Sequence, residues 1–311
     1  MTIHQRNAAF RQFLDGLNPA QRLAVERIEG PVLVIAGPGT GKTHLLSARV
    51  GKILLDTDTR PQNILCLTFT EAGVSAMRQR LLERIGPEAH RVPIQTFHAF
   101  CNRIIQENLE YFGRSSLEPL SELERIDLVR QLLLQLPPDH PLRAGQKDIF
   151  QYERQLRDLF ANMKKEGWTP ELIGERVADY LAGLAENPAF IYQINTRHAK
   201  KGDPKSQQIE EMTTRMIRLR SAADLYPGYQ QALEHLGRYE YEDMLLWVLR
   251  AFQQNEALLL NYQERFLYVL VDEYQDTNGA QNQLLNLLLD YWESPNIFIV
   301  GDDDQSIYEF Q

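Results

Sequence analysis

Cysteine is nearly absent from this chain: two residues, Cys66 and Cys101, among 311. Two are too few for a disulfide framework, and their separation is not that of metal ligands. Both therefore read as reduced thiols packed in a core, in keeping with a reducing cytosol. An excess of positive charge is missing as well. Thirty-three Lys and Arg stand against forty-two Asp and Glu, a formal net charge of -9. That balance excludes a protein that coats nucleic acid by bulk attraction, so any polynucleotide contact has to come from a local groove. No apolar run is long enough to span a bilayer, and no basic, apolar, small-residue leader opens the chain. The reading is a soluble, cytoplasmic protein with no membrane partner. Internal repeats and low-complexity tracts are also lacking. The length allows two domains, or one domain carrying a large insertion.

What is present is organised around Ala36-Gly37-Pro38-Gly39-Thr40-Gly41-Lys42-Thr43. An apolar, β-branched run, Val32 to Ile35, precedes it and an amphipathic run, His44 to Leu55, follows, which is the strand–loop–helix setting of a phosphate-binding loop. Glycines at 37, 39 and 41 let backbone N–H groups turn inward around an oligophosphate, and the helix N-terminus adds partial positive charge at the same point. Lys42 would reach its β- and γ-phosphates, and the Thr43 hydroxyl would hold magnesium. Ala36 stands where the strict pattern has Gly, a replacement that the looser form of the pattern allows.

Asn18 and Pro19 predict a helix start that puts Gln21 on the first turn. Asn63 to Phe69 and Val92 to Thr96 read as strands, each followed by a helical run: Thr70 to Gly86, and Phe97 to Tyr111. This alternation predicts a parallel sheet wrapped by helices. From Ser115 to Gly228 only helical patterns remain, among them Glu122 to Leu136, Gln151 to Lys165, and Thr169 to Leu184. The expected organisation is a first lobe segment at 1–114, an inserted all-helical subdomain at 115–228, and the rest of the lobe at 229–311. The basic, turn-rich stretch Arg197 to Lys205 fits either a solvated loop or a nucleic-acid contact. The sheet pattern resumes with Phe266 to Val271 and ends with Asn296 to Val300.

Phe266 to Val271 delivers Asp272-Glu273-Tyr274-Gln275-Asp276 to the carboxyl end of its strand, where open α/β sheets bind ligands. Asp272 would hold the metal, and Glu273 would orient and deprotonate the attacking water. Taken alone, the pair also fits an acid cluster at a helix N-terminus. Gly301-Asp302-Asp303-Asp304-Gln305-Ser306-Ile307-Tyr308 follows the last strand, and Gln305 could donate to a γ-phosphate. A turn before a capped helix explains the same residues equally well.

In order along the chain, Gln21 with its Leu-Asn-Pro prefix, the loop at 36–43, Thr68-Phe69-Thr70, Thr96-Phe97-His98, Tyr241 to Met244, Asp272 to Asp276 and Gly301 to Tyr308 resemble the N-terminal motifs of the UvrD/PcrA/Rep-like superfamily 1A DNA helicases. The resemblance implies a RecA-like P-loop NTPase lobe of the α/β class. It implies ATP and Mg2+ as cofactors and single-stranded DNA and single-strand/duplex junctions as partners, with repair or replication proteins beyond them. On this resemblance Gln21 reads the adenine edge, while Thr68, Phe69, Thr70, Thr96, Phe97 and His98 lie along the DNA strand. Tyr308 and Phe310 match an aromatic pair that stacks or passes bases, and stacking of this kind binds DNA without net positive charge. From the residues themselves, core packing remains open for Phe69, and a cap or buried hydrogen bond for His98.

Three departures stand out. Glu71-Ala72 replaces an Asn-Lys pair, Glu309-Phe310-Gln311 replaces Arg-Trp-Arg, and no second lobe follows to supply the arginines that the family uses on the transferring phosphate. The resemblance implies an N-terminal portion of a 3′–5′ helicase that alone hydrolyses ATP poorly. Two other readings stand beside it: the motor subunit of a helicase–nuclease complex, and a nucleotide-dependent DNA-binding or repair-partner module.

Overall fold

The computed structural model describes residues 3–37, 40–113, 118–143, 148–195 and 199–302. Pro38, Gly39, Gln305, Tyr308 and Phe310 lie outside them, as do Arg197 and His198 of the basic stretch. Contacts divide the chain into two compact units, Met1–Gly113 with Met244–Gln311, and Arg114–Asp243.

The first unit opens with α1 (Ile3–Asp15) and α2 (Pro19–Glu26). Asn18 caps α2 through a capping box: its side chain accepts from the Gln21 N–H at 2.8 Å, and Gln21 reaches back to the Asn18 N–H. The next elements are β1 (Val32–Ile35), α3 (Lys42–Asp56), β2 (Ile64–Thr68), α4 (Glu71–Ile85), β3 (Ile94–Thr96), α5 (Phe97–Glu107) and a single turn, α6 (Leu109–Phe112).

The second unit holds β4 (Glu118–Pro119), α7 (Glu122–Gln135), α8 (Glu153–Glu166), α9 (Pro170–Ala182), α10 (Ser206–Ala223), α11 (Tyr226–His235) and β5 (Arg238–Tyr239). The chain leaves it through α12 (Tyr241–Gln254) and completes the first unit with α13 (Glu256–Arg265), β6 (Tyr268–Val271), α14 (Gly279–Leu289) and β7 (Ile297–Gly301).

Five strands of the first unit form one parallel sheet in the order β1-β7-β6-β2-β3. The α/β class with a wrapped parallel sheet is therefore the one observed. Central β2 and β6 are buried at every position, as near-continuous apolar runs in a two-sided sheet must be. Edge strand β1 alternates instead: Val32 and Val34 pack on the core, while Leu33 and Ile35 are exposed. One core gathers Leu46, Val50 and Ile53 of α3 and Met77 and Leu81 of α4 against Cys66, Leu270, Phe298 and Val300. Each such fully buried aliphatic side chain is worth about 1.5 to 3 kcal/mol.

Arg49 is enclosed in this core, where its guanidinium donates to the carbonyls of Ala24, Val25 and Ile28 at 2.8 to 3.2 Å and lies over the Phe298 ring. It thereby satisfies acceptors at and just beyond the C-terminal end of α2 that no helical N–H can reach. Because all five strands run the same way, Ile35, Thr68, Thr96, Val271 and Gly301 end at one rim.

In the second unit, Leu128, Val129 and Leu133 of α7, Phe160 and Met163 of α8, and Tyr226, Tyr229 and Leu233 of α11 share a separate core. The sequence pattern places the end of the helical block at Gly228, whereas the compact unit runs to Asp243. The physical reason is that α11 buries three side chains in this core and β5 pairs with β4. The two strands are also an exception to an all-helical pattern. Arg238 ties them by bonding both Glu118 and Glu124. Lys164, fully enclosed, bonds Glu240 at 2.5 Å and Asp243 at 2.7 Å, and Glu240 also accepts from the Tyr229 hydroxyl and forms an ion pair with Arg125. Burial, more than any neighbour, pushes the Asp243 carboxyl above its ordinary range, against the opposing pull of Lys164.

Candidate active site

The site is built at the rim where β1, β7 and β6 lie side by side. Ala36 leaves β1 with its N–H bonded to the Gly301 carbonyl at 2.9 Å, which ties the base of the loop to β7. Gly41 caps α3 at φ 86°, a left-handed conformation that a side chain would strain. The Thr40 hydroxyl donates to the Gly37 carbonyl at 2.7 Å, and the Thr40 carbonyl accepts from Gln21 Nε2 at 3.3 Å. The capping box of α2 and the buried Arg49 behind it thus place Gln21 directly against the loop.

Lys42, the first residue of α3, sends Nζ to Glu273 Oε2 at 2.8 Å and lies 3.9 Å from Asp302 Oδ2. Residues from β1, β6 and β7 converge here although 231 positions separate Lys42 from Glu273. Asp272 is buried, with its N–H bonded to the Leu67 carbonyl and its Oδ1 accepting from the Glu273 N–H at 3.0 Å. Burial first and the Glu273 charge second raise the Asp272 carboxyl to about 6, against the opposing pull of the Glu273 N–H, Lys42 and the Thr43 hydroxyl. A carboxylate so placed asks for a cation. Thr43 and Asp272 together offer a hydroxyl and a carboxylate oxygen, the sparse protein donor set that suits magnesium completed by phosphate oxygens and water. Among the described residues no group of three His, Cys, Asp or Glu side chains forms a self-sufficient metal cage.

Glu273 is, among the described residues, the one non-glycine with positive φ, at 50°. Such a backbone costs on the order of 1 to 3 kcal/mol and persists where surrounding bonds fix it. Here those bonds come from Lys42 and from Gln275, whose Nε2 donates to the same Glu273 oxygen at 2.7 Å.

The second cluster lies at the ends of β2 and β3, where Thr68 and Thr96 stand opposite one another in register. Several of these side chains already have structural duties. The Thr70 hydroxyl caps α4 by accepting from the Gly73 N–H at 3.0 Å, and the Thr96 hydroxyl caps α5 by accepting from Ala99. Thr96 also donates to Glu71 Oε1 at 3.3 Å, so a carboxylate sits within this cluster. Thr68 packs so closely on α4 that a Cβ at Gly73 would come within 2.6 Å of its hydroxyl. Phe97 is buried, which leaves its ring no open face for a base, while Phe69 and His98 are half-buried. Gln305, Tyr308 and Phe310 lie outside the described residues, and so do Pro38 and Gly39 of the loop.

A family model described as the UvrD/REP helicase N-terminal domain matches residues 17–311. The chain belongs to this family. An ATP-dependent DNA helicase PcrA of Bacillus subtilis strain 168 is 28% identical over 306 residues, which are 98% of this chain and 35% of that protein. An ATP-dependent DNA helicase PcrA of Staphylococcus aureus strain Mu50 is 30% identical over 295 residues, 95% of this chain and 34% of that protein. The chain thus spans about a third of the length of these curated relatives.

In this UvrD/REP-family chain, two residues of the site have duties that the motifs do not announce. Gln275 lies inside the Asp272–Asp276 motif, yet its partners are set by the sheet order. Asp302 is buried beside Lys42 because β7 comes between β1 and β6, a placement with no local signal.

Proposed function

We propose that the chain is the nucleotide-binding and strand-contacting portion of an ATP-dependent DNA helicase or translocase. The observation that carries this reading is the meeting of Lys42, Thr43, Asp272 and Glu273 at one rim of the sheet. The pocket residues fit Mg·ATP: a left-handed Gly41 turns the loop into the N-terminus of α3, and a buried carboxylate and a hydroxyl stand ready for the metal. Bound Mg·ATP would supply a cleavable phosphoanhydride and a divalent charge against its oxygens.

Lys42, held by Glu273 in this structure, is the cation that turns to the phosphates. Glu273 is then free to take a proton from water through the oxygen that Lys42 occupied. Gln21, fixed at the loop by α2, presents the amide that distinguishes an adenine edge. Half-buried Phe69 and His98, with exposed Thr70, line the strand path, while buried Thr68 and Thr96 hold the ends of β2 and β3 there. In the longer protein the same reading implies 3′–5′ travel on single-stranded DNA and unwinding at junctions, within repair or replication.

Tested as the 311-residue chain alone, hydrolysis should be slow. The resemblance assigns the transition-state arginines to a second lobe that these residues do not contain, and such arginines contribute on the order of 10³ to 10⁵ in rate. The test is Glu273→Gln. Binding of a magnesium–ATP analogue and of oligo(dT) should persist in the variant while residual turnover disappears. Turnover that survives the substitution, or a wild-type chain that binds neither ligand, overturns the proposal. A nucleotide-dependent binding module without motor chemistry would show binding with no turnover to lose.

A further inference from the structure

The connection from β2 to α4 carries a carboxylate to the rim at the ends of β2 and β3. Glu71 is the first residue of α4, directly after the capping hydroxyl of Thr70. An acid in the first turn of a helix is ordinarily explained by the helix dipole. Here the side chain also leaves its own helix and crosses to the neighbouring strand end, where Oε1 accepts from the Thr96 hydroxyl at 3.3 Å. The Thr96 oxygen in turn accepts from the Ala99 N–H at 3.2 Å, so one hydroxyl serves the cap with its oxygen and Glu71 with its proton. The start of α4 has little room to shift. A Cβ at Gly73 would come within 2.6 Å of the Thr68 hydroxyl and 3.3 Å of the Thr70 hydroxyl. Among the described residues no Lys, Arg or His forms an ion pair with Glu71, and both Glu71 and Ala72 are exposed. A negative charge is therefore pinned at the rim, open to water and uncompensated.

We propose that Glu71 sets how loosely the strand site holds a nucleic-acid backbone: its carboxylate, tied to Thr96 and next in the chain to Thr70, repels the strand's phosphates and leaves affinity to base stacking. The proposal rests on the strand-binding reading above. A like charge about 4 Å from a phosphate in water-like surroundings costs about a factor of five in affinity, and more where the rim is drier. Residues 71 and 72 together carry one negative charge, where the motifs that the chain resembles carry one positive. Stacking on a ring such as that of Phe69 is little affected by this charge, because a base offers a neutral π-face. The strand is thus held by its bases more than by its phosphates. A grip of that kind is weak and only mildly sensitive to salt.

The experiment titrates fluorescent oligo(dT) over a series of salt concentrations against the 311-residue chain and against Glu71→Gln, Glu71→Ala and, as a charge control, Glu83→Gln. Glu83 is an exposed carboxylate on the same helix, about 18 Å from Glu71 along its axis and so beyond the screening length of about 10 Å at about 0.1 M salt. At that salt both Glu71 variants should bind about fivefold more tightly than wild type, and Glu83→Gln within about twofold of it. Relieved of one repulsive charge, the Glu71 variants should also show a steeper salt dependence, by up to about 0.7 in the slope of log K against log salt. A merely structural carboxylate would leave that slope alone. Binding of AMP-PNP with magnesium should stay within about twofold of wild type in all three variants, since none of these carboxylates bonds to the residues of the nucleotide site. Thermal melts confirm folding, and either Glu71 variant suffices if the other fails to fold. Glu71 variants that bind oligo(dT) no more tightly than Glu83→Gln overturn the proposal and leave the strand reading standing. Weaker binding overturns it too, because the carboxylate would then be a contact for the strand. If neither wild type nor any variant binds oligo(dT), the strand reading falls and the proposal with it.

Discussion

Asp272 sits where a carboxylate is poorly solvated, and burial with the neighbouring Glu273 charge raises its pKa to about 6. An unfolded Asp titrates near 3.9. With the folded value above the unfolded one, the native protein holds this proton more tightly. The group's contribution to stability is therefore present below about pH 4 and lost as pH rises through about 6. Asp272→Asn removes that loss. Without nucleotide and in EDTA, the variant should be more stable than wild type by roughly 2 to 3 kcal/mol at pH 8, with the difference closing toward pH 4. Saturating Mg·ATP should reverse the order, since wild type gains ligand stabilisation that the variant lacks. Denaturant midpoints at both pH values, with and without ligand, check the claim, and a variant less stable than wild type in EDTA at pH 8 would refute it. On the proposed function, stability is given up here for binding, as functional carboxylates commonly require.

Among the elements, α8 and the start of α12 are held by a buried charge cluster. Lys164 faces Glu240 and Asp243, and none of the three is open to water. Lys164→Met deletes the cation and strands two enclosed carboxylates, so it should cost about 3 to 5 kcal/mol in urea unfolding. Adding Glu240→Gln and Asp243→Asn to it should recover part of the loss, because the uncompensated charge goes with them. Equal midpoints for the single and triple variants would rule this out. Much of the element pattern was legible beforehand. The apolar run at β1 and the Asn18-Pro19 cap of α2 are local signals, and both elements stand where those signals put them. The pair β4 and β5 was not legible, since two-residue strands are too short to show a period of two and their partners are remote. Nor was the break between α5 and α6 at Asn108, whose side chain bonds the Ile104 carbonyl and the Tyr262 hydroxyl 154 positions away. The same division runs through the site. Lys42, Asp272 and Glu273 belong to contiguous motifs, whereas the bridge from Gln275 to Asp302 depends on β7 lying between β1 and β6, which follows from the order of strands and from no local pattern.

On the scale of the whole molecule, an acidic chain folds as two units with separate cores. Both thiols, Cys66 on β2 and Cys101 on α5, fall in the α/β unit and are sealed from solvent. Burial pushes both thiols well above the ordinary cysteine range, so the reactive thiolate is scarce even in alkaline buffer. A chromogenic disulfide reagent should therefore modify neither residue in the native protein on the time scale of minutes and both at once after denaturation; prompt native labelling would contradict the packing. The helical unit contains no sulfhydryl at all. Slow modification under native conditions consequently acts as a clock for transient opening of one half of the molecule, and nucleotide that lengthens its ticks would do so by keeping the sheet shut.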